Sequence, residues 1–483
     1  MVEAKGLSSD QINFIKKYTE EQFDKSILPA LQDYIRIPNL SRNYDPEWST
    51  NGKLEECAEF LLEWAKKQNL KGSKAEIIKE KGRTPLIFIE VDGTSKDAET
   101  VLLYGHFDKQ PWMTGWREGL GPITPVIEGD KLFGRGGADD GYALFGCVHA
   151  IKTLQEQGIP HPRCVIFIEG DEESGSIDLA FYFDLLSQRI GTPKLLFCLD
   201  SGCGDYERLY ITNTLRGVYL ATLNIKILNE GVHSGDASGV VADTFRILRI
   251  LLDRLEDSKT GVVHRGFHVN IPGDRYKQAE DIAKIIGKDI QEKFPWVGGA
   301  KPVDEDPLVT YLNRIWRPQL AYVGVDGLPA TSKAGNVLRP ETNVRLSLRL
   351  PPTLSTKKAE ALLKEILEKD PPYGAQVTLT GMGGGQGWNA PYNQKYLDDI
   401  VQSASMNFYG KESVYYGEGG SIPFIGMLNE KYPDAQFIVS GILGPFSNAH
   451  GPNESLDIPY TKKFLGCITQ ILAEVTPHFI KQQ

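Results

Sequence analysis

The sequence predicts an α/β protein of two domains: a central, mostly parallel sheet wrapped by helices, and a ferredoxin-like α+β domain inserted into it. Three observations carry this. Short continuous apolar runs bounded by polar turns recur through the first part of the chain. A middle stretch then alternates strand and helix patterns in the order β-α-β-β-α-β. A last apolar run, Gln436-Phe-Ile-Val-Ser440, follows that stretch and returns to the first sheet. The length of 483 residues also exceeds what one core normally serves.

In chain order, Ser8 and Gln11 fit a capping box ahead of a helix. A second helix is expected from about Leu54 to Gln68, where apolar residues recur at helical spacing. Pro85–Val91, Val101–Tyr104, Arg163–Ile168 and Lys194–Leu199 read as strands, with a helix over Leu144–Gln157 between them. Unbroken apolar runs of this length suit strands buried on both faces. In the middle stretch, Val218–Ile227 alternates as a strand and Ala242–Leu255 forms an amphipathic helix. Leu320–Val325 and Asn343–Leu350 are two further strands, Ser355–Lys369 a helix, and Ala375–Thr380 the last strand. Residues 261–318 give no clear pattern and are taken as an elaboration. The expected boundaries are 1–214 and 384–483 for the first domain and 215–383 for the insert.

Hydrophobic residues make up 41% and charged residues 24%, a soluble globular balance. The net charge of −10 gives no basic footprint for nucleic acid or an anionic membrane. No apolar stretch reads as a signal peptide or a membrane span. The six cysteines, Cys57, Cys147, Cys164, Cys198, Cys203 and Cys467, are scattered and form no C-x-x-C pair. They read as reduced core residues, and the expected setting is the cytoplasm.

Five short motifs carry chemistry. In Tyr104-Gly-His-Phe-Asp108, a histidine closes a strand and an acid follows two residues on. Imidazole can ligate a metal and the acid can orient its ring, although such a pair also suits a buried histidine at a strand end. Gly134-Arg-Gly-Gly-Ala-Asp-Asp140 presents adjacent carboxylates just before a helix. One of them could instead cap that helix. Glu169-Gly-Asp-Glu-Glu-Ser-Gly175 puts four acids within five residues after a buried strand. They repel one another unless something positive neutralises them or water solvates them. Asp200 ends the run Cys198-Leu-Asp200, and His450 lies in Ser447-Asn-Ala-His450.

Together these motifs place His106, Asp139, Glu172, Glu173, Asp200 and His450 after expected strands or in adjacent loops. Ligand sites of open α/β sheets form at the carboxyl ends of strands. Two histidines with three or four carboxylates suit a pair of divalent cations, with one carboxylate bridging and a spare acid left as general base.

Taken in order, the motifs resemble those of the M20 metallopeptidases, most closely the carnosinase and cytosolic non-specific dipeptidase branch, from about residue 50 onward. The resemblance implies a zinc-peptidase-like catalytic domain with an inserted lid that makes a homodimer. It implies two divalent ions per subunit, zinc first, with manganese or cobalt as alternatives. By position, His106 and Asp200 match ligands of one metal, Glu173 and His450 ligands of the other, and Asp139 the bridge, followed by a cis peptide in relatives. Asp108 matches the acid that orients His106, and Glu172 the general base. His233 in GVHSG resembles the lid histidine that reaches the partner's site, and Arg349 the arginine that binds the substrate carboxylate. Asn336, Gly420 and Ser421 match pocket-lining positions. His233, Arg349 and the Gly420–Ser421 loop also have plainer readings: a loop histidine, a strand arginine in a salt bridge and a glycine-rich turn.

The implied activity is hydrolysis of the amide bond of a dipeptide or dipeptide-like substrate. An N-acyl amino acid deacylase of the same family is the alternative, and a non-catalytic binding protein on the same fold a remoter one. One departure stands out. Relatives of this branch follow the paired aspartates with Lys-Gly, where this chain has Gly141-Tyr142.

Overall fold

A computed structural model describes residues 6–479. Its chain divides into two compact units. One comprises the chain up to Thr212, Ala390–Tyr416 and the chain from Met427 onward; the other comprises Asn213–Asn389 and Gly417–Gly426.

The first unit is built on a six-stranded sheet. Its order is Ser73–Ile78, Leu86–Val91, Arg163–Glu169, Thr100–His106, Pro193–Cys198, Gln436–Val439. The first two strands run antiparallel to their neighbours, and the last four are mutually parallel. All seven residues of Thr100–His106 are buried, as its unbroken apolar run requires of a central strand covered on both faces. The helices Ser9–Gln22, Leu28–Arg36, Lys53–Lys67, Tyr142–Gln157, Lys395–Tyr409 and Ile458–Val475 belong to this unit. Ser8 and Gln11 form the expected capping box. The helix Tyr142–Gln157 ends at Gly158, whose φ of +64° suits a residue without a Cβ.

The second unit holds a four-stranded antiparallel sheet in the order Gln319–Asp326, Glu341–Leu350, Gly217–Lys226, Gln376–Gly385. Numbered along the chain this is 2-3-1-4, the ferredoxin-like arrangement. Gly217–Lys226 alternates buried and half-buried residues, so one sheet face is covered. Helices Thr244–Leu255 and Thr356–Glu368 cover it, burying Ile247, Leu251, Ala359 and Leu363 with Leu223 and Leu346. Asp243 and Ser355 cap these helices through the N–H groups of Phe245 and Lys358. The stretch 261–318 contains helices Gly273–Ile286, Asp289–Glu292 and Pro307–Ile315. Among the described residues, no helix is long and apolar enough to cross a membrane.

Candidate active site

Three parallel neighbours of the first sheet deliver the central residues. His106 is the last residue of its strand and lies opposite Glu169 in register. Glu172 and Glu173 follow Glu169 in a short 3-10 turn, and Asp200 follows the adjacent strand Pro193–Cys198. Parallel strands end at one rim, so these groups converge there. His450 lies in the loop after Gln436–Val439, and Asp139 in the turn that leads into helix Tyr142–Gln157.

The geometry centres on Asp139. Its Oδ1 lies 3.3 Å from His106 Nε2 and its Oδ2 3.1 Å from His450 Nε2. Asp200 Oδ1 lies 3.8 Å from His106 Nε2, and Glu173 Oε2 3.4 Å from His450 Nε2. Two three-residue groups result, His106–Asp139–Asp200 and Asp139–Glu173–His450, each with donor atoms within 4.8 Å of one another. A carboxylate that turns one oxygen to each group has the shape of a bridging ligand. Glu173 Oε1 is buried without a hydrogen-bond partner, an atom that needs a positive neighbour. Imidazole nitrogens and carboxylate oxygens suit borderline divalent ions, so the residues fit a pair of cations.

Asp108 holds this arrangement from behind. Its Oδ1 lies 3.3 Å from His106 Nδ1, which leaves Nε2 facing Asp139. The same carboxylate accepts the backbone N–H groups of Glu172 and Glu173, both at 3.1 Å. It therefore fixes the glutamate turn as well as the imidazole. Asp140, whose peptide bond with Asp139 is cis, does not cap the following helix. Its Oδ2 instead accepts the His106 N–H at 3.2 Å, so the capping alternative is set aside.

The electrostatics are those of a crowded acidic cavity. Burial, then the charge of Asp200, pushes the Glu172 carboxyl well above the usual range. Burial and the charge of Asp139 do the same to Glu173. Asp200 is pushed up to about 6 by burial, against the pull of His106. Asp139 behaves oppositely: burial disfavours its charge, but hydrogen bonds with His106 and His450 outweigh that and keep it ionised. Burial also works against a charged His106, yet Asp200, Asp108 and Asp139 raise its pKa well above the ordinary value.

The remaining expected residues lie in the second unit and form two local groups. His233 is exposed, and its Nδ1 accepts the Gly235 N–H at 3.1 Å. Asn336 lies beside it, its carbonyl accepting the Ser234 N–H at 3.0 Å. Arg349 is half-buried on strand Glu341–Leu350, where burial lowers its pKa. It neighbours Arg216, which burial and then the charges of Arg349 and Arg314 pull down to about 9. Arg216 Nε donates to the Gly419 carbonyl at 3.2 Å, next to Gly420 and Ser421.

The departure at Gly141 has a steric reason. A Cβ there would overlap the Tyr34 ring and come within 2.6 Å of the Gly136 carbonyl. Tyr34 is fully buried, and its hydroxyl donates to the Phe107 carbonyl at 2.8 Å, between His106 and Asp108. Lys109 lies over that ring at 4.1 Å and donates to the carbonyls of Tyr34, Ile35 and Ile37. Neither Tyr34 nor Lys109 stood out in the sequence, because each looks like a helix or loop residue. Gln110 was missed too; its Nε2 donates to Glu173 Oε2 at 2.6 Å.

Residues 102–474 match the peptidase family M20/M25/M40. The chain belongs to this family. Similar proteins include the cysteinylglycine-S-conjugate dipeptidase of Corynebacterium striatum, 26% identical over 75% of this chain and 78% of that protein. The Cys-Gly metallodipeptidase of Schizosaccharomyces pombe is 26% identical over 88% of this chain and 90% of that one. Among solved structures, the dipeptidase Dug1p of Saccharomyces cerevisiae superposes with a TM-score of 0.78 at 21% identity, covering 97% of this chain and 99% of that one. Human carnosine dipeptidase 1 gives 0.77 at 18%, covering 98% and 100%. These two share the M20 fold with this metallopeptidase.

Proposed function

We propose that this M20 peptidase hydrolyses the amide bond of dipeptides at a site that takes two divalent cations. One observation carries the proposal: Asp139 turns one oxygen to each of two ligand groups, completed by His106 with Asp200 and by Glu173 with His450. The names of the similar proteins support the substrate class, which spans Cys-Gly dipeptidases and the β-Ala-His dipeptidase of Mus musculus. Zinc is the first choice of metal, with manganese and cobalt as substitutes.

Bound in these two groups, the cations would supply an acidified water near neutral pH and a polarised scissile carbonyl. Glu172 lies outside both groups, half-buried and next to Glu173 in the chain, whereas the other outside acids, Asp108 and Asp140, are engaged with His106. It takes the proton of the attacking water and returns it to the leaving amine. Asp108 keeps the His106 ring and the Glu172 turn in place for that transfer. Arg349 makes no hydrogen bond or ion pair among the described residues, so its planar fork is free for the substrate carboxylate. Gly420 and Ser421 line the pocket on the Arg349 side, next to the Gly419 carbonyl that Arg216 holds, and Asn336 lines it on the His233 side. Among the described residues His233 Nε2 has no hydrogen-bond partner, and it serves the oxyanion of a partner subunit's site.

That role requires a homodimer. The strand Gln319–Asp326 is the edge of its sheet and exposes Tyr322, Val323 and Val325. An exposed apolar edge of this length is a template for pairing with a second chain. All six cysteines are free and buried, which fits a reducing compartment, and the cytoplasm is the proposed setting.

Glu172→Gln is the decisive variant. Its turnover of dipeptides should fall by about 10³-fold while metal content per chain stays at two. Near-normal activity would remove Glu172 as the base. A panel of dipeptides against N-acyl amino acids, run on the unaltered enzyme, distinguishes the dipeptidase from a deacylase of the same family.

A further inference from the structure

A buried ion pair outside the ligand set ties the two ligand loops together. Arg135 and Glu454 are both buried, 319 positions apart, with Arg135 Nη1 2.6 Å from Glu454 Oε2. The other oxygen, Glu454 Oε1, accepts three backbone N–H groups: Gly136 at 2.9 Å, Ala138 at 3.3 Å and Asp139 at 3.3 Å. Arg135 Nη2 in turn donates to three carbonyls: Pro111 at 3.1 Å, His450 at 3.0 Å and Gly451 at 2.8 Å. The carboxylate thus grips the turn that carries Asp139, and the guanidinium grips the loop that carries His450.

That second loop needs holding. Asn448, His450 and Asn453 all have positive φ, at 49°, 64° and 61°, a region that side chains other than glycine rarely adopt. His450 is also 55% exposed, so packing does little to fix its ring. The other half-site differs. His106 ends a central strand and is fully buried, with Nδ1 held by Asp108. Asp200 follows a buried strand.

We propose that Arg135 and Glu454 are a positioning pair for the half-site of Glu173 and His450, clamping the Asp139 and His450 loops by their backbones so that one of two cations is retained. This rests on the two-cation reading above. Partners outside the ligand set commonly change metal affinity by about 10- to 100-fold, and the structure assigns that effect here to one cation.

The test counts metal retained by holoenzyme across a graded chelator series. Arg135→Lys keeps a charge opposite Glu454 but loses the fork that spans three carbonyls. One cation should then leave at about 10- to 100-fold less chelator than in the unaltered enzyme, and the other at the same concentration. In a His450→Ala background the same change should add nothing, since the half-site it serves is already gone. The double variant Arg135→Met/Glu454→Gln, which leaves no unpaired buried charge, should loosen both cations because Glu454 also holds the turn of Asp139, and that of Glu173 and His450 by the larger factor. Equal loosening of both cations, no loosening, or full additivity with His450→Ala overturns the proposal. An unaltered enzyme that never holds more than one cation would instead overturn the two-cation reading.

Discussion

Gly141 illustrates how one residue is set by a partner far away in sequence. The space that a lysine would fill beside Asp140 is taken by the Tyr34 ring. Gly141→Ala should therefore destabilise the protein by overpacking, by about 1–3 kcal/mol in a urea titration. Combined with Tyr34→Ala, the two costs should be less than additive, because the second change vacates the clashing volume. Strict additivity would mean that the ring is not the obstacle. His149 makes a different prediction. It is buried, with Nε2 2.9 Å from Thr19 Oγ1, and burial lowers its pKa from 6.5 to about 4. Between those values the unfolded chain binds a proton that the folded chain does not. Its contribution is thus intact above pH 6.5 and is lost as pH falls toward 4, by roughly 3 kcal/mol in all. His149→Gln should flatten that part of the stability profile measured by urea midpoint. An unchanged slope would assign the acid sensitivity to other groups.

At the scale of elements, legibility followed burial. Val101–Tyr104 and Arg163–Ile168 read as strands because both faces are covered and nearly every residue is apolar. Val218–Ile227 read as a strand because one face of the observed strand, Gly217–Lys226, is covered and the other not. The stretch 261–318 resisted because one of its helices, Asp289–Glu292, is a single turn, and because Phe294, Trp296, Val297 and Val303 are exposed. Apolar residues on a surface carry no periodicity. The site shows the same division. His106, Glu172, Glu173 and Asp200 were found because they end buried strands. Arg135 and Glu454 were not, because an arginine between glycines and an acid past a histidine look like turn residues until the fold brings them to 2.6 Å. The edge strand Gln319–Asp326 supports a prediction at this scale. Val323 is 60% exposed on it, and Val323→Lys places a charge on the proposed pairing edge. Light scattering should report a dimer for the unaltered chain and a monomer for the variant. A dimer that survives the lysine would move the interface elsewhere.

For the whole molecule, cation binding, protonation and stability are one linked quantity. The carboxyls of Glu172, Glu173 and Asp200 are all raised by burial before anything else, Asp200 to about 6. A carboxyl whose folded pKa is raised holds a proton that the unfolded chain has released. It favours the fold fully below its unfolded pKa and loses that advantage as pH rises through the folded value. Cation-free protein should therefore weaken between about pH 4 and neutrality on account of these groups, the reverse of the His149 effect. Cations bound between the same carboxylates remove the penalty, and they bind better once the protons have gone. Each site adds about 4 kcal/mol when free cation stands a thousandfold above its Kd. Chelation should then lower the unfolding temperature much more at pH 8 than at pH 5.5, in scanning calorimetry of the same preparation. Equal shifts at the two pH values would mean that the acids of this rim keep their charge without a cation, and their convergence on Asp139 would need another cause.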